Sequence, residues 1–180
     1  MSVDKPAPKL LLALPLVLFT VLGLLYFYGL TNDPNKSASR LINKPVPAFR
    51  LPSLFSPDIV LESSSINGPA IINVWASWCG PCREEHAELK RIAEEVGVKI
   101  YGVNYQDDAA VARTWLQQNG DPFTWVMFDG AAATGLPLDV FSLPQTYLVD
   151  AQGIIRARHI GALTRPVWND MKKQIQHVSQ

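Results

Sequence analysis

The only two cysteines of the chain lie three positions apart, inside the segment WASWCGPCREEH at residues 75–86. Cys79 and Cys82 are separated by Gly80 and Pro81 alone. Two thiols at this spacing could form a structural disulfide, provide half of a metal site or act as a reversible redox pair. The three chemistries make different demands on the rest of the chain.

A structural disulfide and a metal site are both disfavoured. Closing a loop of about four residues removes only about 2 kcal/mol of unfolded-state entropy. The chain has 180 residues, of which 48% are hydrophobic, so it can build a conventional core without such a bond. A zinc site needs about four ligands, and the 3 histidines do not form a second ligand pair at zinc-finger spacing. We therefore predict a redox pair, with no metal and no bound cofactor.

The first cysteine follows a predicted strand and precedes a predicted helix. Residues 70–76 (AIINVWA) are a continuous apolar run, which is typical of a strand covered on both faces. A helix ending near Gly97 is indicated by apolar residues at helical spacing, which are Leu89, Ile92, Ala93 and Val96. Cys79 then lies at the helix N-terminus, where free N–H groups and the positive end of the helix stabilise a thiolate. We predict that Cys79 is the attacking thiol and Cys82, one turn later, the resolving thiol.

Helical spacing also selects a carboxyl group. Cys82 and Glu85 lie seven and four positions before Leu89 and therefore continue its apolar face. Burial raises the pKa of a carboxyl group, so Glu85 could carry the proton that Cys82 loses when it attacks a mixed disulfide. The alternative is a first-turn glutamate favoured only by the helix dipole. His86 is at the edge of this face and is predicted to be a surface or partner-contact residue rather than a catalyst.

The remaining pattern predicts an α/β domain. Strands are predicted at residues 48–51, 59–61, 70–76, 99–103, 124–128, 145–149 and 154–160. Asp107 or Asp108 is expected to cap a second helix that stops at Gly120, and Thr164 precedes a final helix. The order β-α-β-α-β followed by an antiparallel hairpin predicts a mixed central sheet flanked by helices.

A long apolar stretch precedes this domain. Residues 10–30 contain no charged side chain and would span about 31 Å as a helix, close to the thickness of a hydrocarbon core. A cleaved signal, with an apolar region of only about 7–15 residues, is the alternative. We predict a cytoplasmic head at residues 1–9, a transmembrane anchor at 10–30, a linker at 31–45 and an exported domain at 46–180. The 16 basic and 16 acidic residues form no charged run, so we expect no nucleic-acid binding.

Several strings resemble one protein family. They are NVWASWC at residues 73–79, CxxCRxEH at 79–86, GVNYxDD at 102–108, FDG at 128–130 and GIIRxRH at 153–159. The dithiol motif, with Leu143 and Pro144 before a strand, resembles the thioredoxin superfamily over residues 46–177. More closely, the set is similar to the membrane-anchored DsbE/CcmG-type thiol:disulfide interchange proteins of cytochrome c maturation.

This resemblance implies a thioredoxin-like fold in the periplasm, anchored in the bacterial inner membrane by one helix. It implies a reductase whose substrate is apocytochrome c or a maturation partner, and a DsbD-like membrane protein that restores the dithiol. Residues expected to contact the partner are Trp78, Gly80, Pro81, Leu143 and Pro144. A cis proline at position 144 would leave the backbone before it free to pair with a substrate strand; a proline that only starts a strand is the alternative.

The sequence departs from related patterns at three places. Asn73 stands where cytoplasmic thioredoxins carry a buried aspartate, which leaves the proton-carrier role to Glu85. The turn SLPQT places the amide of Gln145 where the family usually has a glutamate, and Gly-Pro stands between the cysteines where the family usually has Pro-x. Two other functions stay open: a general disulfide oxidase or isomerase, and an anchored binding module without enzymatic turnover.

Overall fold

The computed structural model describes residues 9–31, 39–66, 68–95 and 98–178, and the chain forms two compact units, Met1–Ser37 and Ala38–Gln180. The first unit contains helix α1 (Lys9–Thr31), whose side chains at 14–28 are exposed. Among the described helices, none has both the length and the apolar character needed to cross a membrane. The anchor at residues 10–30 therefore stays a prediction. Most of the head and residues 32–38 of the linker lie outside the described residues.

The second unit is built on a five-stranded mixed sheet. Its elements are β1 (Arg50–Pro52), β2 (Val60–Glu62), β3 (Ala70–Trp75), α2 (Gly80–Ala93), β4 (Lys99–Tyr105), α3 (Ala109–Asn119), β5 (Trp125–Asp129), β6 (Gln145–Val149), β7 (Ile155–Ile160) and α4 (Arg165–Val178). The strand order is β5-β4-β3-β6-β7, in which β3, β4 and β5 are parallel and β6 is antiparallel to β3 and β7. Strands β1 and β2 form a separate antiparallel pair. The predicted α/β architecture with a mixed central sheet is confirmed.

Strand β3 is the middle strand of the sheet, and both of its faces are covered. All six of its residues are buried. Ile72 and Val74 face a core that also contains Leu41 and Leu51. Ile71 faces the opposite side of the sheet, towards α2 and α4. Since side chains alternate along a strand, Asn73 lies on the face of Ile71, towards α2. The sheet therefore presents a buried polar residue to the helix that carries the cysteines.

Two boundaries differ from the sequence-based expectation. Leu41 is in the core at 8% exposure, and the Asn43 N–H donates to the Ile155 carbonyl at 2.8 Å, so residues 39–45 of the predicted linker pack onto the domain. Helix α2 ends at Ala93, which is exposed and so lies off the buried face, whereas Val96 and Gly97 lie outside the described residues.

Candidate active site

The two cysteines meet at the point where β3 ends and α2 begins. Cys79 is the N-cap of α2, and its Sγ accepts the Cys82 N–H at 3.2 Å. The two sulfurs form a disulfide with an S–S distance of 2.04 Å, and each cysteine is 4% exposed. Trp78, Gly80 and Pro81 around them are exposed. The predicted position of Cys79 at the helix N-terminus is confirmed, with a helix N–H directed at its sulfur.

A buried carboxyl group lies behind the disulfide, on the same face of α2 as Cys82. Glu85 is 2% exposed, and its two oxygens accept different donors: Oε1 the Asn73 Nδ2–H at 2.8 Å, and Oε2 the Leu163 N–H at 2.6 Å. Burial raises the pKa of Glu85 from 4.5 to about 7, against the opposing effect of these two hydrogen bonds. Glu85 can therefore gain or lose a proton near neutral pH.

Asn73 connects this carboxyl to the neighbouring strand. Its Nδ2 also donates to Thr146 Oγ1 at 3.1 Å, and the two residues are direct partners in the β3–β6 register. Asn73 and Thr146 are both completely buried, and the Asn73 Oδ1 has no hydrogen-bond partner. The sequence indicates Asn73 only as a departure from a related pattern. It gives no signal for Thr146 or Leu163, because Thr146 reaches Asn73 through strand pairing and Leu163 reaches Glu85 from the segment after β7.

Hydrogen bonds from residues outside the Cys79–Cys82 motif fix the loop that carries Trp78. The Trp78 Nε1–H donates to the Gln106 carbonyl at 2.9 Å, and the Arg83 guanidinium donates to the Ser77 carbonyl at 2.7 and 2.9 Å. Asp107 accepts hydrogen bonds from both the amide and the hydroxyl group of Ser77. The sequence predicts a helix cap at Asp107 or Asp108; Asp108 is the N-cap of α3, whereas Asp107 holds the loop before Cys79.

The turn before β6 completes the surroundings of the disulfide. The Leu143–Pro144 peptide bond is cis, as predicted. Leu143 packs against the cluster that contains both cysteines. A cavity of about 210 Å³ next to Leu143 is lined by Trp78, Tyr105, Gln106, Val140, Phe141 and Ser142. Trp78, Gly80 and Pro81 flank the cysteines in the chain, Leu143 packs against their cluster, and Trp78 is 59% exposed.

Gln145 and His86 are both buried away from solvent. The Gln145 amide donates to the carbonyl of Asp139 at 3.0 Å and to the Tyr147 hydroxyl. Because it neighbours Thr146 along β6, it points to the other face of the sheet, away from Glu85. His86 is only 7% exposed, so its predicted role as a surface or partner-contact residue is wrong.

His86 is buried because α3 covers it. Its ring lies edge-on to that of Trp115 at 4.5 Å, and its Nε2–H donates to the Gly120 carbonyl at 3.0 Å. Burial lowers the pKa of His86. Within the described ranges, no three His, Cys, Asp or Glu side chains are grouped to hold a metal ion.

Comparison with known proteins agrees with this geometry. The Redoxin family model matches residues 41–175. The DsbE thiol:disulfide interchange protein of Pseudomonas aeruginosa is 44% identical over 163 residues, covering 90% of each chain. This chain belongs to the DsbE family of redoxins. The DsbE protein of Escherichia coli K12 is 38% identical over 171 residues, covering 91% of this chain and 92% of its own length.

Solved structures agree on the fold of this DsbE-family protein. A thiol-disulfide oxidoreductase from Bacteroides fragilis superposes with a TM-score of 0.60 at 25% identity, covering 72% of this chain and 98% of its own. A secreted thiol-disulfide isomerase from Corynebacterium glutamicum has a TM-score of 0.67 at 21% identity, covering 83% and 96%. Family membership makes the protein a thiol:disulfide oxidoreductase, so the alternative of a non-enzymatic binding module is wrong.

Proposed function

We propose that this DsbE-family protein reduces protein disulfides during cytochrome c maturation, acting on apocytochrome c or on a maturation partner. The observation that carries the chemistry is the Cys79 sulfur, which accepts a helix N–H beside a buried Glu85. The direction and the substrate are supported by the resemblance to the DsbE/CcmG proteins. A general disulfide oxidase would use the same groups in the opposite direction.

In the proposed reaction, the Cys79 thiolate attacks one sulfur of the substrate disulfide and displaces the other as a thiolate. Glu85 accepts the Cys82 thiol proton, and the Cys82 thiolate attacks the Cys79 sulfur of the mixed disulfide. The Cys79–Cys82 disulfide forms and the second substrate thiolate leaves. Two electrons pass from the dithiol to the substrate; Glu85 returns the Cys82 proton to one substrate thiolate, and the other takes its proton from water.

The location of the reaction is also part of the proposal. Residues 10–30 anchor the chain in the bacterial inner membrane, with residues 1–9 in the cytoplasm and the thioredoxin-like domain in the periplasm. Support comes from the uncharged apolar sequence and from the exposed apolar side chains of α1. In that oxidising compartment a reductase must be supplied with electrons, and a DsbD-like membrane protein would restore the dithiol.

The test is the direction of exchange with a defined substrate. Reduced full-length protein is mixed with oxidised apocytochrome c, and free thiols are counted by alkylation. We expect thiols to appear on the substrate and disappear from the enzyme. If instead the oxidised enzyme oxidises reduced apocytochrome c and the reverse reaction does not proceed, the protein is an oxidase.

A trapping experiment in cells tests the roles of the two thiols. Cys82→Ser should accumulate mixed disulfides through Cys79, because the resolving thiol is absent. Non-reducing gels should show complexes with cytochrome c maturation components. Complexes in Cys79→Ser but none in Cys82→Ser would reverse the assignment of the two sulfurs.

A further inference from the structure

The buried amide of Asn73 has an unequal set of partners. Its nitrogen donates to both Glu85 and Thr146, at 2.8 and 3.1 Å, whereas its oxygen has no partner. Asn73 is completely buried, and a buried polar atom without a partner is costly. The end of the amide that faces Glu85 and Thr146 therefore depends on whether those groups accept or donate.

The orientation in the structure matches the ionised form of Glu85. A carboxylate can only accept hydrogen bonds, so Oε1 is matched by the Asn73 NH₂ group and Oε2 by the Leu163 N–H. These partners come from β3 and from the segment after β7, and neither carries a charge. Cys82 lies one turn earlier on α2, and the Thr146 hydroxyl on β6 reaches Glu85 only through Asn73.

Protonation of Glu85 turns one of its two carboxyl oxygens from a hydrogen-bond acceptor into a donor. The backbone N–H of Leu163 is always a donor, so Oε2 must remain an acceptor. The proton then belongs on Oε1, which faces the Asn73 NH₂ group, and two donors would meet. Rotation of the Asn73 amide by about 180° exchanges its nitrogen and oxygen and removes this conflict. Oδ1 would then accept from Glu85 Oε1–H and from the Thr146 hydroxyl.

We propose that Asn73 is a positioning residue for proton transfer, whose amide turns to present its nitrogen to ionised Glu85 and its oxygen to protonated Glu85. The inference rests on the proposed role of Glu85 as the proton carrier. In either orientation one end of the amide bonds to both Glu85 and Thr146, and the other end has no partner. The proton on Glu85 therefore decides the orientation, and both protonation states keep a hydrogen bond.

The test follows the two side chains separately in the full-length reduced protein by NMR between pH 5 and pH 9. The carboxyl carbon of Glu85 reports its titration. The nuclear Overhauser contact between the Asn73 NH₂ protons and the Thr146 side chain reports the amide orientation. We expect this contact to be present at high pH and absent at low pH. Its disappearance should have the same midpoint as the titration of Glu85.

The variant Glu85→Gln imitates the protonated state of Glu85 at every pH. In Glu85→Gln, the Leu163 N–H selects the amide oxygen of the new side chain, so its NH₂ group faces Asn73, as Oε1–H does in protonated Glu85. The contact between Asn73 and Thr146 should then be absent at every pH. Its persistence in Glu85→Gln would overturn the proposal.

Activity gives an independent readout that a purely structural role would not change. Asn73→Leu has a similar shape but cannot form a hydrogen bond. Because the bond from Asn73 to the ionised carboxylate is stronger than its bond to the neutral acid, the substitution destabilises ionised Glu85 more than protonated Glu85. The midpoint of the Glu85 titration should move up by about one pH unit, together with the pH profile of mixed-disulfide resolution. An unchanged midpoint would overturn the proposal for Asn73.

The two proposals fail differently. If Glu85 titrates while the Asn73 contact stays constant, the turning amide is wrong and the role of Glu85 stands. If Glu85 keeps one charge between pH 5 and pH 9, the proton-carrier role is itself wrong and the turning amide falls with it.

Discussion

Asp107 holds Ser77 through both of its carboxylate oxygens: the Ser77 N–H donates to Oδ2 at 2.5 Å and the Ser77 hydroxyl to Oδ1 at 2.7 Å. The Asn104 Nδ2–H donates to the same carboxylate at 2.8 Å. Ser77 directly precedes Trp78 and Cys79 in the chain. The carboxylate therefore connects the end of β4 to the loop that places the attacking sulfur.

Asp107→Asn should weaken this connection. The new amide replaces one acceptor oxygen by an NH₂ group, so at least one of the donors around it loses its partner. We expect the free energy of unfolding of the oxidised protein to fall by about 1–3 kcal/mol in urea titrations. Asp108→Asn is the control, since Asn caps a helix about as well as Asp and its loss should stay below about 1 kcal/mol. Equal losses in the two variants would contradict a special role for Asp107.

Trp78 should serve partner binding more than the chemistry of the dithiol. Trp78 is 59% exposed and lines the cavity beside Leu143. Trp78→Ala is expected to lower kcat/KM for a protein disulfide by about tenfold or more, as for an aromatic contact at the centre of an interface. Reduction of a small-molecule disulfide should change little. Val111→Ala, an exposed apolar residue on α3, is the control and should affect neither rate.

Glu85 should make stability depend on pH. Its pKa is raised to about 7 in the folded protein, so between about pH 4.5 and pH 7 the folded chain keeps a proton that the unfolded chain has lost. This contribution is complete below about pH 4.5, decreases as pH rises to about 7 and is constant above. The change of the Glu85 pKa from 4.5 to about 7 corresponds to about 3 kcal/mol.

The measurement compares wild type with Glu85→Gln, which cannot titrate. Urea unfolding at several pH values from 4.5 to 8 gives the difference in unfolding free energy between the two proteins. That difference should move by about 3 kcal/mol in favour of Glu85→Gln as pH rises. Parallel curves across the range would show that the Glu85 carboxyl titrates normally.

Two deletions should separate the domain from the residues before it. Removal of residues 1–37 should leave a folded domain with intact dithiol chemistry, because the second compact unit begins at Ala38. Removal of residues 1–45 also deletes the buried Leu41 and the Asn43 bond to Ile155. We expect the shorter protein to be less stable by at least about 2 kcal/mol.

A substitution provides the matched control for the deletions. Leu41→Ala in the protein that begins at residue 38 should reproduce most of the loss, since it leaves a cavity in the same core. Equal stability of the two deletion proteins would place the boundary at Val46, as the sequence suggested.

Local sequence determined much of this protein. The apolar run at 70–76 gave β3, helical spacing placed Glu85 on the buried face of α2, and the motif put Cys79 at the N-terminus of that helix. Of the two predicted caps of α3, Asp107 and Asp108, it is Asp108 that accepts the Ala110 and Val111 N–H groups. These features depend on residues within one or two helical turns, so periodicity and capping rules are sufficient to find them.

The tertiary structure decided which groups meet. Thr146 reaches Asn73 only because β6 pairs with β3 in one register, and a shift by one residue would bring Gln145 to that face instead. Leu163 reaches Glu85 from 78 positions away in the chain, and His86 is buried because α3 packs over it. Such contacts depend on long-range pairing and packing, which local patterns do not encode, and they set the proton chemistry behind the disulfide.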